Sequence, residues 1–403
     1  MADRFPGGVI SKTPPTVVAP VDGEGGSASG VWTLDEVLGY EKAGAWPKRV
    51  FLKELYAWGL NNSGQVGDNT LINRSSPVQV GALTNWSQVA AAYRHTACVT
   101  TDGTLFSWGL NNNGRLGQND TVDRSSPVQV GALTNWSQVS VQNNNTACVK
   151  TNGTLFTWGL NTDGQLGDGT VVTKSSPVQV GALTNWSYVS QGQNHTLCVT
   201  TEGTLFAWGK NSQGELAQND LVSRSSPVQI GALTNWAQAS AGRFHNACVT
   251  TDGTLFTWGR NSDGQCGDGT GLGLSSPVQV GVLTNWAQAA SGNLQTACVT
   301  TANTLFTWGN NEDGRLGHNN IISLSSPVQV GALTSWSRVS MGYHTAAITT
   351  AGALFTWGRN SLGGPLGHND VVDRSSPVQV GALTNWFQVS AGIFCTAAIL
   401  KAP

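Results

Sequence analysis

Four histidines recur at one position of a repeated pattern, and they are the side chains of this chain best suited to metal ligation or acid–base chemistry. They lie at multiples of about 50 residues: His95, His195, His245 and His344. Imidazole is a common metal ligand, and several such rings gathered around one axis could hold an ion. The remaining copies of the pattern interrupt the set with Asn145, Gln295 and Cys395. We therefore expect these histidines to make structural hydrogen bonds, and we predict no metal site.

Two carboxylates in the glycine-rich stretch "NTDGQLGDGT", Asp163 and Asp168, superficially resemble a calcium-binding loop. Such loops alternate acidic ligands and end on a glutamate, and that register is missing here. Other copies replace the second acid with Gln118, Gln218 or His318. The sequence also contains neither the G-x-S-x-G motif of a nucleophilic serine nor the G-x-x-x-x-G-K-[ST] phosphate loop. We expect no catalytic residue, no metal and no cofactor, and hence a protein that is not an enzyme.

The charge content narrows the class of partner. Of 403 residues, 39% are hydrophobic but only 11% are charged, against roughly 25% in typical domains. A net charge of −2 and the lack of a basic stripe argue against nucleic acid as a partner. No apolar run approaches the roughly 20 residues of a membrane helix, so membrane insertion is not expected. The N-terminus lacks the charged and apolar regions of a signal peptide, so we do not expect Sec-type export.

The cysteines are predicted to be buried thiols and not disulfides. Five of the 7 occupy one repeat position, spaced by 50 residues: Cys98, Cys148, Cys198, Cys248 and Cys298. Equivalent positions of successive repeats should lie too far apart for a disulfide, which needs Cα atoms within roughly 7 Å. Free buried cysteines are consistent with a reducing compartment.

A twelve-residue phrase, "SSPVQVGALTNW" at 75–86, returns unchanged at 125, 175 and 375 and with one substitution at 225, 275 and 325. Within the type repeat, 76–124, four short β-rich segments follow one another: "SPVQVGAL", "WSQVAA", "TACVTT" and "TLFSWG". Turn formers separate them, including a "DG" hairpin turn. A period of 40–50 residues with four short strands is typical of a propeller blade. The pattern predicts an all-β propeller of four-stranded antiparallel blades.

The two ends of the repeat region complement each other. The strand "ELYAWG" at 54–59 has no "TACVTT" segment before it, and "TAAILK" at 396–401 has no "WG" strand after it. Pairing the two completes seven blades and removes unpaired sheet edges. We therefore predict a seven-bladed propeller over 51–403, closed by its N-terminal strand.

The segment "GRFHNACVTTDGTLFTWGRNSDGQCGDGT" at 242–270 and its sister copies resemble the repeat of the RCC1 (regulator of chromosome condensation) family. The resemblance covers about residues 51–401 and implies a seven-bladed propeller. Family members that exchange nucleotides depend on loops that interrupt particular blades. These repeats are nearly uninterrupted, so no exchange residue can be carried over to this chain.

Two loops differ among the repeats while the "GALTN" turn and the hairpin turn barely change. One precedes "TACVTT", and the other follows "WG". Successive loops of an antiparallel meander alternate between its two ends, so we expect the two variable loops to share one face, the variable face. Neutral drift would explain the variation, and so would selection for binding. For the second case the candidate contacts with a carbohydrate or protein are Tyr93, Arg94, Asn143, Asn144, Gln193, Asn194, Arg243, Phe244, Asn293, Leu294, Tyr343, Ile393 and Phe394.

Residues 1–50 form a distinct arm, rich in proline, glycine and serine, with one short helix predicted over 33–44. The stretch "SASGVWTLDEVLGYEKAGAWP" resembles N-terminal segments of structural proteins of marine tailed phages. The resemblance implies an anchor whose contact residues would be Trp32, Leu34, Val37, Leu38, Tyr40 and Trp46. A helix that packs on its own propeller is the alternative.

These observations support two hypotheses of function. The first is a non-enzymatic virion protein of a tailed phage, in the tail fibre, tail tip or capsid surface, assembled in the host cytoplasm. Its residues 1–50 would bind other virion proteins, its variable face would bind a host-surface carbohydrate or protein, and a homo-oligomer in the particle is compatible with this. The second is a soluble RCC1-like module or inhibitor that binds a cellular protein. A propeller lyase or hydrolase lacks an acid–base set.

Overall fold

The computed structural model describes residues 52–402, and these residues form seven four-stranded antiparallel sheets. The predicted arm at 1–50, its helix at 33–44 and the anchor residues lie outside the described residues. Within 52–402 there is no helix long and apolar enough to cross a bilayer.

Each sheet is a blade whose first strand borders a central channel. The first strands are β3 (Trp86–Ala91), β7 (Trp136–Gln142), β11 (Trp186–Gln191), β15 (Trp236–Ala241), β19 (Trp286–Ser291), β23 (Trp336–Met341) and β27 (Trp386–Ala391). The second strands are β4 (His95–Thr100), β8 (Asn145–Lys150), β12 (His195–Thr200), β16 (His245–Thr250), β20 (Gln295–Thr300), β24 (His344–Thr349) and β28 (Cys395–Lys401).

The third and fourth strands complete each blade toward its outer edge. The third strands are β1 (Lys53–Gly59), β5 (Leu105–Gly109), β9 (Leu155–Gly159), β13 (Leu205–Gly209), β17 (Leu255–Gly259), β21 (Leu305–Gly309) and β25 (Leu354–Gly358). The fourth strands are β2 (Arg74–Gln79), β6 (Arg124–Gln129), β10 (Lys174–Gln179), β14 (Arg224–Gln229), β18 (Leu274–Gln279), β22 (Leu324–Gln329) and β26 (Arg374–Gln379). We number the blades 1 to 7 from β3–β6 onward.

Blade 7 closes the ring, as the sequence predicted. Its strand order is β2-β1-β28-β27, so the chain start supplies the third and fourth strands. The register of the closing pair is continuous from Lys53 opposite Lys401 to Gly59 opposite Cys395. The two ends of the repeat region are therefore joined by main-chain hydrogen bonds along a complete strand.

The division of the repeat into blades differs from the sequence interpretation. The "SPVQ" strand belongs to the preceding blade as its outer strand, so "TLFSWG" is the third strand of its blade and not the fourth. The "GALTN" turn is consequently a connection between blades. Proline at the centre of the fourth strand suits an edge, because an edge residue has no ladder partner to lose.

Paired tryptophans form the core between neighbouring sheets. In blade 1 the ring of Trp86 contacts Phe106 edge-on at a centroid distance of 5.4 Å and lies 6.4 Å from Trp108. Trp86 is 1% exposed and Trp108 is fully buried. The same arrangement recurs around the ring, with Tyr56 in place of the phenylalanine in blade 7, which explains why both tryptophan positions are invariant among the repeats. The seven cysteines are buried free thiols, in agreement with the sequence prediction, and burial raises the pKa of each.

Side-chain hydrogen bonds around the channel join the first strand of each blade to the first strand of the next blade. The side chain of Gln138 accepts from Val189 N and donates to Val189 O, both at 2.8 Å. Two residues on, the hydroxyl of Ser140 accepts from Gln191 N at 3.0 Å. The same glutamine and serine positions link blade 7 to blade 1 through Gln388 and Ser390. These contacts fix the first strands that carry the variable loops.

Candidate partner-binding site

The two variable loops lie on one face, as the alternation of hairpin ends predicted. In six blades the residue that follows "WG" donates its main-chain N–H to a carbonyl of the loop between the first and second strands. Examples are Leu110 N to Arg94 O at 2.8 Å and Arg260 N to Phe244 O at 2.9 Å. On the other side, the constant face, Thr101 N donates to Asn85 O at 2.8 Å, which joins the two invariant turns.

One residue from every blade converges on a pocket where the channel opens at the variable face. This axial pocket has a volume of about 280 Å³. Each blade contributes the same loop position: Tyr93, Asn143, Gln193, Arg243, Asn293, Tyr343 and Ile393. The loop position at which all seven blades meet in this pocket is thus among the positions at which the repeats differ most.

The next loop position points elsewhere in most blades. Of the candidate residues, Arg94, Asn144, Asn194, Phe244 and Leu294 do not line the pocket, whereas Phe394 does. Asn194 instead donates to a carboxylate oxygen of Asp163 at 2.9 Å. The binding role of all these residues remains a prediction; the structure brings eight of the thirteen together in the pocket.

Residues at the ends of the first strands also line the pocket, and the sequence analysis did not single them out. They include Gln142, Met341 and the glycines Gly292, Gly342 and Gly392. A Cβ on Gly342 would come within 1.6 Å of Gly392 O, so adjacent loops touch here and only glycine fits. The spacing of these glycines, 50 residues apart, was the available signal.

Aromatic rings form one side of the pocket. Phe394 contacts Tyr93 and Tyr343, each at a centroid distance of 5.4 Å, so three successive blades join in one cluster. The guanidinium of Arg94 lies 4.8 Å from the Tyr93 ring centroid, and that of Arg359 lies 5.6 Å from Tyr343 and 5.9 Å from Phe394. This wall presents apolar ring surface bordered by cations.

Arg243 stands apart from the aromatic cluster and is held in place by amides. Its Nε donates to Gln193 Oε1 at 2.7 Å, and one terminal nitrogen donates to Asn293 Oδ1 at 3.3 Å. Its guanidinium also covers the Phe244 ring at 4.7 Å. Only part of the guanidinium's five N–H donors are used by these bonds.

The arginines of the outer loops form ion pairs, whereas those near the axis of the variable face do not. The outer arginines each form an ion pair with an aspartate of their own loop, at 2.6 to 2.8 Å: Arg74–Asp68, Arg124–Asp120, Arg224–Asp220 and Arg374–Asp370. The hydrogen bonds from Arg374 lower the pKa of Asp370 to about 2. Among residues 52–402, Arg94, Arg243 and Arg359 form no such pair.

The repeated histidines make structural contacts beneath this face, as predicted. His195 Nε2 bonds Asn246 Oδ1 at 2.8 Å and His245 Nε2 bonds the Thr296 hydroxyl at 2.9 Å, each in the following blade. Burial lowers the pKa of His195 to about 4 and that of His245 to about 3. Within the described range no cluster of three or more His, Cys, Asp or Glu side chains could hold a metal ion.

The calcium-like loop is held by its own side chains. Asp168 accepts from Asn161 Nδ2 at 3.1 Å and from the hydroxyl of Thr170 at 2.7 Å, and it lies 3.6 Å from the ammonium of Lys174. These contacts explain Asp168 as a residue that holds its loop in place.

Comparisons with known proteins agree with this architecture. A family model described as the regulator of chromosome condensation (RCC1) repeat matches seven segments: 54–99, 102–149, 152–199, 202–249, 252–299, 303–348 and 351–399. A search of curated proteins found no match.

Solved structures give a similar picture. Human WBSCR16 superposes with a TM-score of 0.79 at 22% identity, covering 87% of this chain and 99% of that one. The structure of Kap60 bound to yeast RCC1 (Prp20) gives 0.77 at 18%, covering 88% and 90%. Prp20p from Saccharomyces cerevisiae, described with its binding properties to Gsp1p and histones, gives 0.77 at 19%, covering 88% and 93%. At these identities the likeness concerns the fold.

Proposed function

Because the chain belongs to the RCC1 repeat family, we propose that it is a protein-interaction module that binds one protein partner on its variable face. The observation that carries the proposal is the convergence of one variable loop position from each of the seven blades on one axial pocket. Repeats that are otherwise almost verbatim differ where their side chains meet, and a binding site requires such a local asymmetry.

The structural relatives support protein as the class of partner. Yeast RCC1 (Prp20) was solved with Kap60 bound, and Prp20p is described as binding Gsp1p and histones. The partner of the present chain need not be any of these, since no exchange residue could be matched to it. The proposal is for binding and not for a reaction catalysed by this chain.

The tailed-phage hypothesis is not carried into this proposal. It depends on residues 1–50, which lie outside the described residues, and the comparisons lend it no support. The alternative of the sequence analysis, an RCC1-like module that binds a cellular protein, agrees with the family match.

Site-specific photo-crosslinking tests which face binds. A benzoylphenylalanine placed at Phe394 keeps an aromatic group in the pocket wall, and the same residue at Leu233 reports on the exposed constant face. In extracts of cells that produce the protein, we expect one protein adduct from position 394 and none of that mass from position 233.

A variant of the variable face, Tyr93→Ala, Arg243→Ala, Phe244→Ala, Tyr343→Ala, Phe394→Ala, serves as competitor. Wild-type protein without a photo-reactive group should compete the adduct away, whereas this variant should not. Adducts only from position 233, or equal competition by both proteins, would show that the variable face is not the binding face.

A further inference from the structure

We propose that the axial pocket receives a short acidic peptide segment of the partner, with an apolar side chain against Phe394 and a carboxylate on Arg243. This inference rests on the proposed function, because it assumes that the variable face binds a protein. It adds the chemistry of the segment that is recognised.

Arg243 supplies the first part of the argument. Two amide oxygens hold its guanidinium in position, from Gln193 at 2.7 Å and Asn293 at 3.3 Å. No carboxylate lines the axial pocket, and Arg243 forms no ion pair with the described residues. The remaining N–H groups suit a carboxylate, which binds a guanidinium through two parallel hydrogen bonds. A pre-positioned cation also costs less ordering entropy on binding.

The aromatic wall supplies the apolar half. Ile393, Phe394 and Tyr343 border a volume of about 280 Å³. That volume equals roughly nine water molecules at about 30 Å³ each, enough for one large side chain with a few backbone atoms. A folded domain could therefore enter only through a protruding side chain or a linear segment.

From Arg94 and Arg359 we expect further acidic residues in the peptide, beyond the apolar side chain that contacts Phe394. Both guanidiniums lie over rings of the aromatic cluster, and neither pairs with a carboxylate in the described part of the chain. Asp263, a carboxylate of this face, is engaged, since it pairs with Arg260 and accepts from Asn310. Arginines without a carboxylate partner among the described residues thus border the aromatic wall of the pocket, in a chain whose net charge is −2.

The hydrogen-bonding inventory favours a carboxylate over sugar hydroxyls. The carbonyl oxygens of Gln193 and Asn293 already accept from Arg243, and the hydroxyl of Tyr93 accepts from Arg94 at 3.3 Å. The groups left for a ligand are mostly donors. A hydroxyl needs both donors and acceptors, whereas an ionised carboxylate only accepts.

Selection of peptides on the full-length protein tests the proposal. Random twelve-residue peptides displayed on a carrier are enriched on immobilised protein, and the enriched sequences are synthesised and measured by fluorescence anisotropy. We expect a net negative charge with an aromatic or branched aliphatic residue beside the acids. Raising NaCl from about 50 to 300 mM should weaken binding several-fold, because exposed charge pairs are screened.

Variants drawn from the other repeats keep the fold intact. Arg243→Gln introduces the residue of blade 3 and should weaken peptide binding at least tenfold, as should Phe394→Asn. The matched control is Arg338→Gln, which removes an arginine that lines no part of the pocket and introduces the glutamine found on most first strands. It should change binding by less than twofold.

The outcomes separate this inference from the proposed function. Peptides that bind at the variable face without acidic bias, or that tolerate Arg243→Gln, would overturn the acidic-peptide inference and leave the binding face standing. Enrichment of no pocket-dependent peptide, with retention on an array of acidic glycans instead, would overturn it in favour of carbohydrate. Failure of the crosslinking experiment described above would remove the binding face itself.

Discussion

The indole Nε1 of Trp258 donates a hydrogen bond of 2.9 Å to the carbonyl oxygen of Glu215 in the preceding blade. Five other "WG" tryptophans make the same contact, for example Trp208 to Gln165 O at 3.1 Å. Two residues after the accepting carbonyl, the loop passes over the indole with a residue in the left-handed conformation. That residue is glycine in six repeats and Ala217 in one.

Ala217→Gly should therefore stabilise the protein. Ala217 has φ 55° and shares a buried cluster with Trp258. A left-handed conformation costs an L-residue about 1 kcal/mol, which outweighs the extra chain entropy that glycine loses on folding. We expect a net gain of up to about 0.5 kcal/mol, measured as a higher apparent melting temperature and urea midpoint.

The converse substitution, Gly167→Ala, is the control. A Cβ there would come within 2.5 Å of Trp208 Nε1, so this variant should melt at a lower temperature than the wild type. If Ala217→Gly lowered the melting temperature too, the strain assigned to Ala217 would be absent.

A serine added at one junction should strengthen the ring. Ser240 Oγ accepts from Ser291 N at 2.8 Å, whereas the equivalent position of the next blade is Ala290, which offers no acceptor to Met341. A hydrogen bond of this kind contributes about 1 kcal/mol. Ala290→Ser should raise the urea midpoint and Ser240→Ala should lower it. Equal urea midpoints for the wild type and both variants would show that these hydrogen bonds do not contribute to stability.

Acid should destabilise the propeller in a pH range set by its histidines. Burial lowers the pKa of His195, His245 and His344 to about 4, 3 and 3, below the unfolded value of about 6.5. As pH falls below 6.5, these histidines bind protons in the unfolded chain but stay neutral in the folded chain. Stability is then full above pH 6.5 and declines toward pH 4, by up to about 1.4 kcal/mol per pH unit for each group.

The double variant His195→Asn, His245→Gln tests the origin of this slope. Both residues occur at the same position in other blades, at Asn145 and Gln295. Urea unfolding at pH 7.5, 6.0 and 5.0 should show a smaller loss of stability than in the wild type. The slope should decrease without vanishing, because His95 and His344 remain. An unchanged slope would assign the acid sensitivity to other groups.

Removal of the closing strand should open the ring. A chain that begins at Leu52 retains all 28 strands, whereas one that begins at Leu60 lacks β1 and leaves β2 and β28 without their shared partner. We expect the first to melt in one cooperative transition. The second should unfold at lower temperature, be cleaved by protease within blade 7 and aggregate through its unpaired edges. Similar melting of the two chains would contradict closure by β1.

The sequence predicted the blade count, the closing pair and the shared face of the variable loops because each follows from repeat number and strand alternation. Leu55 and Ile399, opposite each other in the closing sheet, belong to segments recognised by their missing partners. Which strand begins each blade could not be predicted in this way. A connection between two blades and a hairpin inside one blade are both short, so the sequence does not tell them apart. The partly buried, proline-bearing strand at Arg74–Gln79 distinguishes them, because it lies at the edge of its sheet.

The sequence predicted the face on which the site lies, but only some of the residues that line it. Tyr93 and Arg94 are adjacent and equally variable, yet one lines the axial pocket and the other lies outside it. That difference depends on the twist of the loop, which the sequence pattern does not contain. That Arg243 and Arg359 form no ion pair within residues 52–402 also depends on distances between blades, and the sequence period does not contain those distances.

Closure by the opening strand has a consequence for biosynthesis. The segment Lys53–Gly59 leaves the ribosome first among the strands, yet its partner Cys395–Lys401 is translated last. Its apolar side chains Leu55 and Trp58 are fully buried in the finished protein, but β1 can pair only with β2 while the six intervening blades are made. The nascent chain is accordingly exposed to premature association on polysomes until the final codons are read.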